Sequence, residues 1–463
     1  MQIKNYFYNN SPVELRPFFA SVYGYYLQWL RYGSNTKDLI EGALLRDNWN
    51  SEKWKNWQEE ILAFTLNRAA TRVPFYRDQW QLRRRMGDKS SWEILQNWPI
   101  LKKEDLRNHS KNFIADDCNI KCMFKEHTSG TTGTPVTIYH SRKTVQNWYA
   151  IYEARIRIWN DVSRKDRWGI FGGQIVVPQS HITPPYWVWN SGLKQLYFSS
   201  YHISPKNIKY YIEAMNKYKI VYILSYPSAI YTIAHFGLQN NLNPPELKVI
   251  ISNAEPLYDW QKDIIYEFFK CPVRNTYGMS EIVSAAGECS EGNLHLFPDV
   301  GFTEILNLNN NDKVEKEGNG RLICTGLVDT DMPLIRYEVG DLGSIDNFSS
   351  NCSCGRSLPI LNNIEGRLDD MIITPDGRHI GRLDPVFKSE MKIKEAQIIQ
   401  EALDLVHVKV VPTEGFNQLD EIDIKKRIEQ RLGASINVVV ETVAEIPRTK
   451  AGKFKAVISN LKK

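Results

Sequence analysis

Between residues 120 and 365, short apolar runs such as Val221-Tyr-Ile-Leu224 and Val249-Ile-Ile-Ser252 alternate with longer amphipathic segments. Runs of this kind need cover on both faces, which parallel strands joined by crossover helices provide. The predicted class is therefore α/β with parallel-rich sheets. The flanks differ. Residues 1–115 read as a helical cap, with Trp54, Trp57, Ile61, Leu62 and Phe64 at mixed three- and four-residue spacing and Pro74 and Pro99 as stops. After Asp370 the pattern becomes that of a small α+β unit: Ile398 to Leu403, alternating Val406 to Val411, a helix with Ile424, Ile428 and Leu432, then Val438-Val-Val440.

One loop carries the first chemical signal. His127-Thr-Ser-Gly-Thr-Thr-Gly-Thr-Pro135 runs into the β-branched stretch Val136 to Tyr139. Gly130 and Gly133 let the backbone approach an anion, and the hydroxyls of Thr128, Ser129, Thr131, Thr132 and Thr134 donate to phosphate oxygens. The ligand this suits is a nucleoside triphosphate. No Lys follows Gly133, so the Walker pattern fails at its charged residue and the cation must come from elsewhere. Pro447-Arg-Thr-Lys-Ala-Gly-Lys-Phe-Lys455 offers one: Lys453 stands behind a glycine in a Pro-bounded loop. By itself a basic tail segment is more often a solvated loop.

Between these two lie Asn275-Thr-Tyr-Gly-Met-Ser-Glu281, Pro333-Leu-Ile-Arg-Tyr-Glu-Val-Gly-Asp341 and Gly366-Arg-Leu-Asp-Asp-Met371. In this order and spacing the five segments resemble the adenylate-forming superfamily of acyl-CoA synthetases, peptide-synthetase adenylation domains and luciferases. The chain is most similar to the phenylacetate–CoA ligase group, in its CapK-like branch associated with capsule and O-antigen biosynthesis. The resemblance implies a large N-terminal adenylation domain over 1–366, a hinge at 367–370 centred on Asp369, and a small mobile C-terminal domain over 371–463 that carries the catalytic lysine.

It also implies roles. Thr128 to Thr134 hold the β- and γ-phosphates, and Glu281 binds Mg²⁺ as a hard oxygen ligand. Tyr277 stacks on adenine with Asn275 at the exocyclic amine, within the segment Thr276, Gly278, Met279 and Ser280. Ala254, Glu255 and Pro256 pass along the base. Asp341 accepts the ribose hydroxyls, Arg367 reaches ribose or phosphate, and Lys453 bridges α-phosphate and carboxylate. These assignments match what adenylation requires: two anions pressed together need neutralisation and alignment rather than a side-chain nucleophile. His127 is expected either at the acid or as a capping or packing residue, and Arg336 either in a site role or as a structural ion pair beside Asp341. The acid pocket is expected around Gly172-Gly173, Ser225 to Ser228 and Tyr277.

Composition bounds the rest. With 463 residues, 13 Trp and 12% aromatics the chain can bury a large core, and a formal charge of +5 without a run of five like charges argues against a nucleic-acid partner. Lys4, Glu14 and Arg16 interrupt the aromatic N-terminus, and no apolar run reaches the roughly 18 residues of a spanning helix, so the expected location is cytoplasmic. Pro12 to Leu30 reads as an amphipathic helix, packed on the protein's own core or, alternatively, lying peripherally on a membrane. Seven cysteines in such a chain point away from disulfides. Cys289, His295, Cys352 and Cys354 form a Cys₃His set suited to structural Zn²⁺, against the alternative of four separately packed side chains; relatives of the phenylacetate ligase group carry similar Cys-x-Cys-Gly-Arg segments.

Two departures from the family pattern stand out. Glu338 replaces the usual Arg of Tyr-Arg-Thr-Gly-Asp, and after the hinge Ile372-Ile-Thr-Pro-Asp-Gly-Arg-His-Ile380 places a turn at Pro375-Asp-Gly377 where the family runs into an Arg-Gly turn. The second puts coenzyme A as acceptor in question. The expected function is an ATP-dependent, AMP-forming acid ligase that transfers its acyl group to an acceptor in surface-polysaccharide assembly, an amine of an amino acid or amino sugar being one candidate acceptor and coenzyme A the other. An aryl-CoA ligase forming a thioester and a non-catalytic nucleotide-binding scaffold are the alternatives.

Overall fold

The computed structural model describes residues 8, 11–127, 136–178, 180–307, 312, 319–346, 352–365, 372–380, 383–387, 392–447 and 456–461. The N-terminal region is helical, as its spacing predicts: Arg16–Arg31, Thr36–Arg46, Ser51–Arg72 and Pro74–Arg85. Asn50 caps the third helix by accepting from the Lys53 amide at 2.9 Å. Pro74 both ends that helix and opens the next, where its missing N–H costs nothing.

The central segment divides into two sheets of opposite character. A six-stranded sheet runs in the order Trp187–Asn190, Gln195–Ser199, Trp168–Gly172, Tyr222–Ser225, Val249–Ser252, Val273–Arg274, and is parallel except for its first pair. Helices Ile208–Lys217, Pro227–Gln239 and Asp259–Phe269 are the crossovers that bury its apolar strands. Here the predicted parallel arrangement is found.

From 276 to 365 it is not. That stretch forms a seven-stranded, wholly antiparallel sheet ordered Gly301–Leu306, Gly320–Gly326, Tyr337–Asp346, Ile360–Glu365, Leu294–Leu296, Ala285–Glu288, Thr276–Gly278. The reason is connection length. The link between Ala285–Glu288 and Leu294–Leu296 turns at Gly292, whose φ is +83°, and is too short for a crossover helix.

A π turn, Glu153–Arg157, joins the cap to both sheets, and all five of its residues are buried. Arg155 donates to Asp47 Oδ1 at 2.8 Å and to both oxygens of Asp299, while Arg46 binds Asp299 at 2.9 Å. Arg157 donates to Tyr222 Oη at 2.7 Å in the six-stranded sheet and pairs with Glu153 at 2.9 Å.

Residues 372–461 add a short hairpin, Ile372–Ile373 with His379–Ile380, and a four-stranded sheet ordered Asn437–Thr442, Leu405–Pro412, Ile393–Ala402, Val457–Ser459. Ile424, Ile428 and Leu432 of helix Gln418–Leu432 pack into the core of that sheet, as their spacing predicts. Among the described residues no helix is long and apolar enough to cross a membrane.

Helix Arg16–Arg31 packs on the large domain through its small residues. A Cβ added at Gly24 would meet Asn190 Oδ1, and one at Gly192 would lie 2.3 Å from the Tyr25 amide nitrogen, so backbone rests on backbone. The Ser191 amide donates to Ser21 Oγ at 3.0 Å.

The Arg155 network makes a testable stability claim. Removing one partner of a buried pair costs about 3–5 kcal/mol. Asp299 retains Arg46 and Asp47 retains the Trp159 indole, so Arg155→Met is expected at the lower end, about 3 kcal/mol, in urea unfolding. Asp299 has a lowered pKa: burial opposes this, but Arg155 and Arg46 outweigh it. Its contribution is therefore present above the ordinary carboxylate pKa near 3.8 and is lost as pH falls through the folded value.

Candidate active site

The chain passes from one sheet to the other at a single residue. Val273–Arg274 is the edge strand of the six-stranded sheet, Thr276–Gly278 is the edge of the seven-stranded one, and Asn275 lies between them. The Asn275 amide donates to Glu288 Oε2 at 2.7 Å, Ser252 Oγ donates to Asn275 Oδ1 at 3.1 Å, and Thr276 Oγ1 donates to the Ser252 carbonyl at 2.6 Å. The end of the parallel strand Val249–Ser252 is thus tied to the junction, at the carboxyl end where α/β sheets bind ligands.

Two tyrosine–carboxylate pairs follow. Tyr277 donates to Asp341 Oδ2 at 2.9 Å, and Tyr337 donates to Glu281 Oε1 at 3.0 Å. Tyr277 and Asp341 lie on strands four places apart in the sheet order, about 19 Å if the sheet were flat. Their contact requires the sheet to curl back on itself. Burial, then the nearby Asp341 carboxylate, pushes the Tyr277 phenol well above its ordinary pKa, so it stays a donor. Glu281 is buried, with Lys103 Nζ 3.8 Å from Oε1; its Oε2 takes no partner among the described residues.

Other expected residues have structural partners. Glu255 accepts from the amide and the hydroxyl of Ser228, both at 3.0 Å, so its carboxylate caps helix Pro227–Gln239 and only the backbone of Ala254 to Pro256 remains for a base. Met279 packs against the large core cluster, and Gly278 pairs with Ala285. Ser280 Oγ donates to Glu126 Oε1 at 3.1 Å. His127 Nδ1 lies 3.2 Å from Thr137 Oγ1, pinning together the two strands that flank residues 128–135. Arg336 is an ion pair, but with Glu304 at 3.0 Å rather than beside Asp341; it also donates to the Trp98 carbonyl at 2.9 Å. Glu338 faces away from the site toward Lys102 and toward Arg321 at 2.6 Å, which hold its pKa low despite burial. Thr128, Ser129, Gly130, Thr131, Thr132, Gly133, Thr134, Arg367, Asp369 and Lys453 lie outside the described residues.

Of eight left-handed non-glycine residues among the described ones, three fall beside the motifs. Ala254 has φ +67°, Ile282, directly after Glu281, φ +51°, and Arg336, directly before Tyr337, φ +49°. For a β-branched residue such as Ile282 this is a strained conformation, costing on the order of 1–3 kcal/mol, of the kind that clusters at functional sites.

The expected acid pocket is rich in phenols. The Gly173 amide donates to Tyr226 Oη at 3.0 Å, Tyr201 donates to the Gly173 carbonyl at 2.9 Å, and a Cβ on Gly172 would lie 2.6 Å from Tyr197 Oη. Tyr201 also meets residues of the C-terminal unit: Arg378 donates to its carbonyl and Arg431 to its hydroxyl at 3.2 Å.

The four residues expected at zinc converge. Cys289 and Cys352 sulfurs are 3.8 Å apart, Cys354 Sγ is 3.4 Å from His295 Nε2, and all four donor atoms lie within 4.8 Å of one another. His295 Nδ1 is 3.1 Å from the Leu358 carbonyl, which fixes the proton there and leaves Nε2 as a lone pair. A tetrahedral ion with Zn–S near 2.3 Å spaces its sulfurs about 3.8 Å apart, so the donor set fits.

Sequence reasoning missed His140. It is buried, with Nδ1 2.7 Å from Asp329 Oδ2 and Nε2 3.0 Å from the Ser280 carbonyl; Asp329 is held in turn by Thr144 Oγ1 at 3.1 Å. Strand Thr137–His140 is thereby fastened to the turn that precedes Glu281. Asp329 lies 189 positions away along the chain, so no local pattern announces the pair.

The chain belongs to the AMP-binding enzyme family, whose model matches residues 55–325; the model of the CapK C-terminal domain matches residues 372–460. The chain is 28% identical to the CapK protein of Staphylococcus aureus over 99% of this chain and 100% of that protein. It is 24% identical to phenylacetate-coenzyme A ligase of Thermus thermophilus over 88% and 96% respectively. In fold it resembles 2-hydroxyisobutyryl-CoA ligase in complex with 2-HIB-AMP and CoA, with a TM-score of 0.56 at 21% identity, covering 89% of this chain and 91% of that one. The protein is an adenylate-forming acid ligase that uses ATP.

Both ring nitrogens of His140 face acceptors, which only an imidazolium can satisfy. Burial opposes the charge, yet the Asp329 hydrogen bond and the Asp329 and Glu126 charges raise its pKa above 6.5. Its stabilisation is complete below the unfolded value and is lost as pH rises through the folded one. The stability difference between wild type and His140→Gln, from urea unfolding, is expected to shrink as pH rises above 6.5.

Proposed function

We propose that this ligase activates a carboxylic acid as its acyl-adenylate and passes the acyl group to an amine of an amino acid or amino sugar in surface-polysaccharide assembly. The observation that supports the nucleotide site is the junction at Asn275, where Tyr277 with Asp341 and Tyr337 with Glu281 stand at the end of a parallel strand. A carboxylate oxygen attacks the α-phosphorus of ATP, the bond to pyrophosphate breaks, and acyl-AMP forms. The amine then attacks the acyl carbon, AMP leaves and an amide results.

In this reading Tyr277 stacks on adenine, Asn275 Oδ1 takes the exocyclic amine with its second lone pair, and Asp341 receives the ribose hydroxyls. Thr128 to Thr134 hold the β- and γ-phosphates, Arg367 meets ribose or phosphate, and Lys453 spans α-phosphate and carboxylate. Glu281 would hold Mg²⁺ through Oε2, and that ion would neutralise phosphate charge. Asp369 is the hinge. The pathway rests on the CapK-type resemblance. An amine is favoured over coenzyme A because Arg378 of the hairpin at 372–380 is buried, with its donors committed to Asp376, Tyr201, Arg431 and Leu432.

Acid-dependent ATP–pyrophosphate exchange over aryl, hydroxy and amino acids tests the first step. Exchange with one acid class is expected, and Lys453→Ala should cut it about 10²- to 10³-fold while ATP binding stays within a few-fold. No exchange with any acid, from folded protein that binds ATP, would favour the scaffold alternative. With the acid known, product analysis separates acceptors: an amide with amines supports the proposal, a thioester with CoA overturns it.

Cys289, His295, Cys352 and Cys354 are assigned a structural Zn²⁺ that ties the Ala285–Glu288 hairpin to the 352–358 segment. Elemental analysis is expected to find one zinc per chain. Cys352→Ser should lose it and lower the melting temperature, whereas wild-type protein purified without metal and equally stable would refute the assignment.

A further inference from the structure

Helix Arg16–Arg31, with the residue before it, is built inside out. Its small residues, Ala20, Ser21 and Gly24, face the protein, where Gly24 and Gly192 bring two backbones into contact. Most of its large ones face solvent, with Arg16 and Leu30 buried. Leu15, Phe18, Val22, Tyr25 and Trp29 recur at three- and four-residue intervals along one face and are each 50–63% exposed. Phe19, Tyr23 and Tyr26 widen the stripe, and Tyr23 stacks on Tyr26 at 5.9 Å. The helix is fixed by its docking, so the stripe is a rigid feature of the surface. An exposed apolar face of this size needs an occupant.

Charge and residue type select among the candidates. No Asp or Glu occurs between Leu15 and Lys37; of the basic residues there Arg16 is buried, Arg31 lies over the Tyr149 ring at 4.3 Å and Lys37 pairs with Glu41 at 3.6 Å. Arg142 lies over the Trp29 ring at 4.2 Å and donates to the Trp29 carbonyl, and Lys143 beside it is exposed. Glu14 precedes the helix, and Glu126 is near enough to act on Tyr23. A second copy of the chain would place like charges opposite one another, and a helix–helix seam takes aliphatic residues with complementary flanking charges. Phe, Tyr and Trp with basic neighbours are instead the residues of a lipid–water boundary, where rings sit at headgroup depth and cations meet anionic lipid.

We propose that this face binds an anionic bilayer surface, with Phe18, Val22, Tyr25 and Trp29 entering the headgroup region and Arg31, Arg142 and Lys143 meeting lipid phosphate. The inference is independent of the acceptor and of the pathway.

The test is flotation of the full-length protein with vesicles of phosphatidylcholine alone and of two parts phosphatidylcholine to one part phosphatidylglycerol. Binding is expected to the mixed vesicles, weaker to the neutral ones, and reduced by salt. Phe18→Glu with Trp29→Glu should reduce it by about tenfold per ring or more, since each ring contributes roughly one side chain of apolar burial. Both positions are exposed, so an unchanged melting temperature certifies the fold. Wild type that floats with neither vesicle, or a double variant that floats as well as wild type, overturns the proposal. So does sedimentation velocity showing a dimer that the variant dissociates, which would give this face to a second copy.

Discussion

Two buried arginines on one π turn hold the large domain together. Arg155 reaches outward to Asp47 in the helical cap and to Asp299 in the turn before strand Gly301–Leu306 of the antiparallel sheet, and Arg157 reaches inward to Tyr222 in the parallel sheet. Residues two apart on a helical turn point to nearly opposite faces, so the two side chains enter different layers. Neither arginine could be buried without its partners, since an unpaired guanidinium in the interior is prohibitively costly. The relative placement of the two sheets therefore depends on this network, and the site lies at their junction.

The junction explains the chemistry. A parallel sheet offers strand ends and a curled antiparallel sheet offers side chains pointing inward; Asn275 is where one becomes the other. His140 and Asp329 brace strand Thr137–His140 against the turn before Glu281. Tyr201 links the backbone of Gly173 to Arg378 and Arg431, so the proposed acid pocket and the C-terminal unit share one side chain.

Some of this was legible in the residues. The helical cap and the C-terminal helix follow from apolar spacing, and the five motif segments stood out because Gly, Ser, Thr and charged residues cluster in them. The antiparallel sheet was not legible, because strands such as Thr276–Gly278 and Leu294–Leu296 are too short to show a period of two. Arg336 was expected beside Asp341, five residues away, but its left-handed backbone turns the side chain to Glu304. The Cys₃His donors were visible as two local groups, and only the pairing of His295 with Ile360 brings them together. Which face of the first helix docks was not legible for a different reason: amphipathic spacing does not say which face is docked, and here two glycines decide it.

The central claim is that the site joins carboxylate to the α-phosphorus of ATP. Isotope tracing tests it most directly, with both carboxylate oxygens of the acid substrate replaced by oxygen-18 through a complete turnover. The account predicts one labelled oxygen in AMP and none in inorganic phosphate, because the acyl carbon releases the oxygen it gave to phosphorus. Label in inorganic phosphate alongside ADP would contradict it, since attack would then have fallen on the γ-phosphorus.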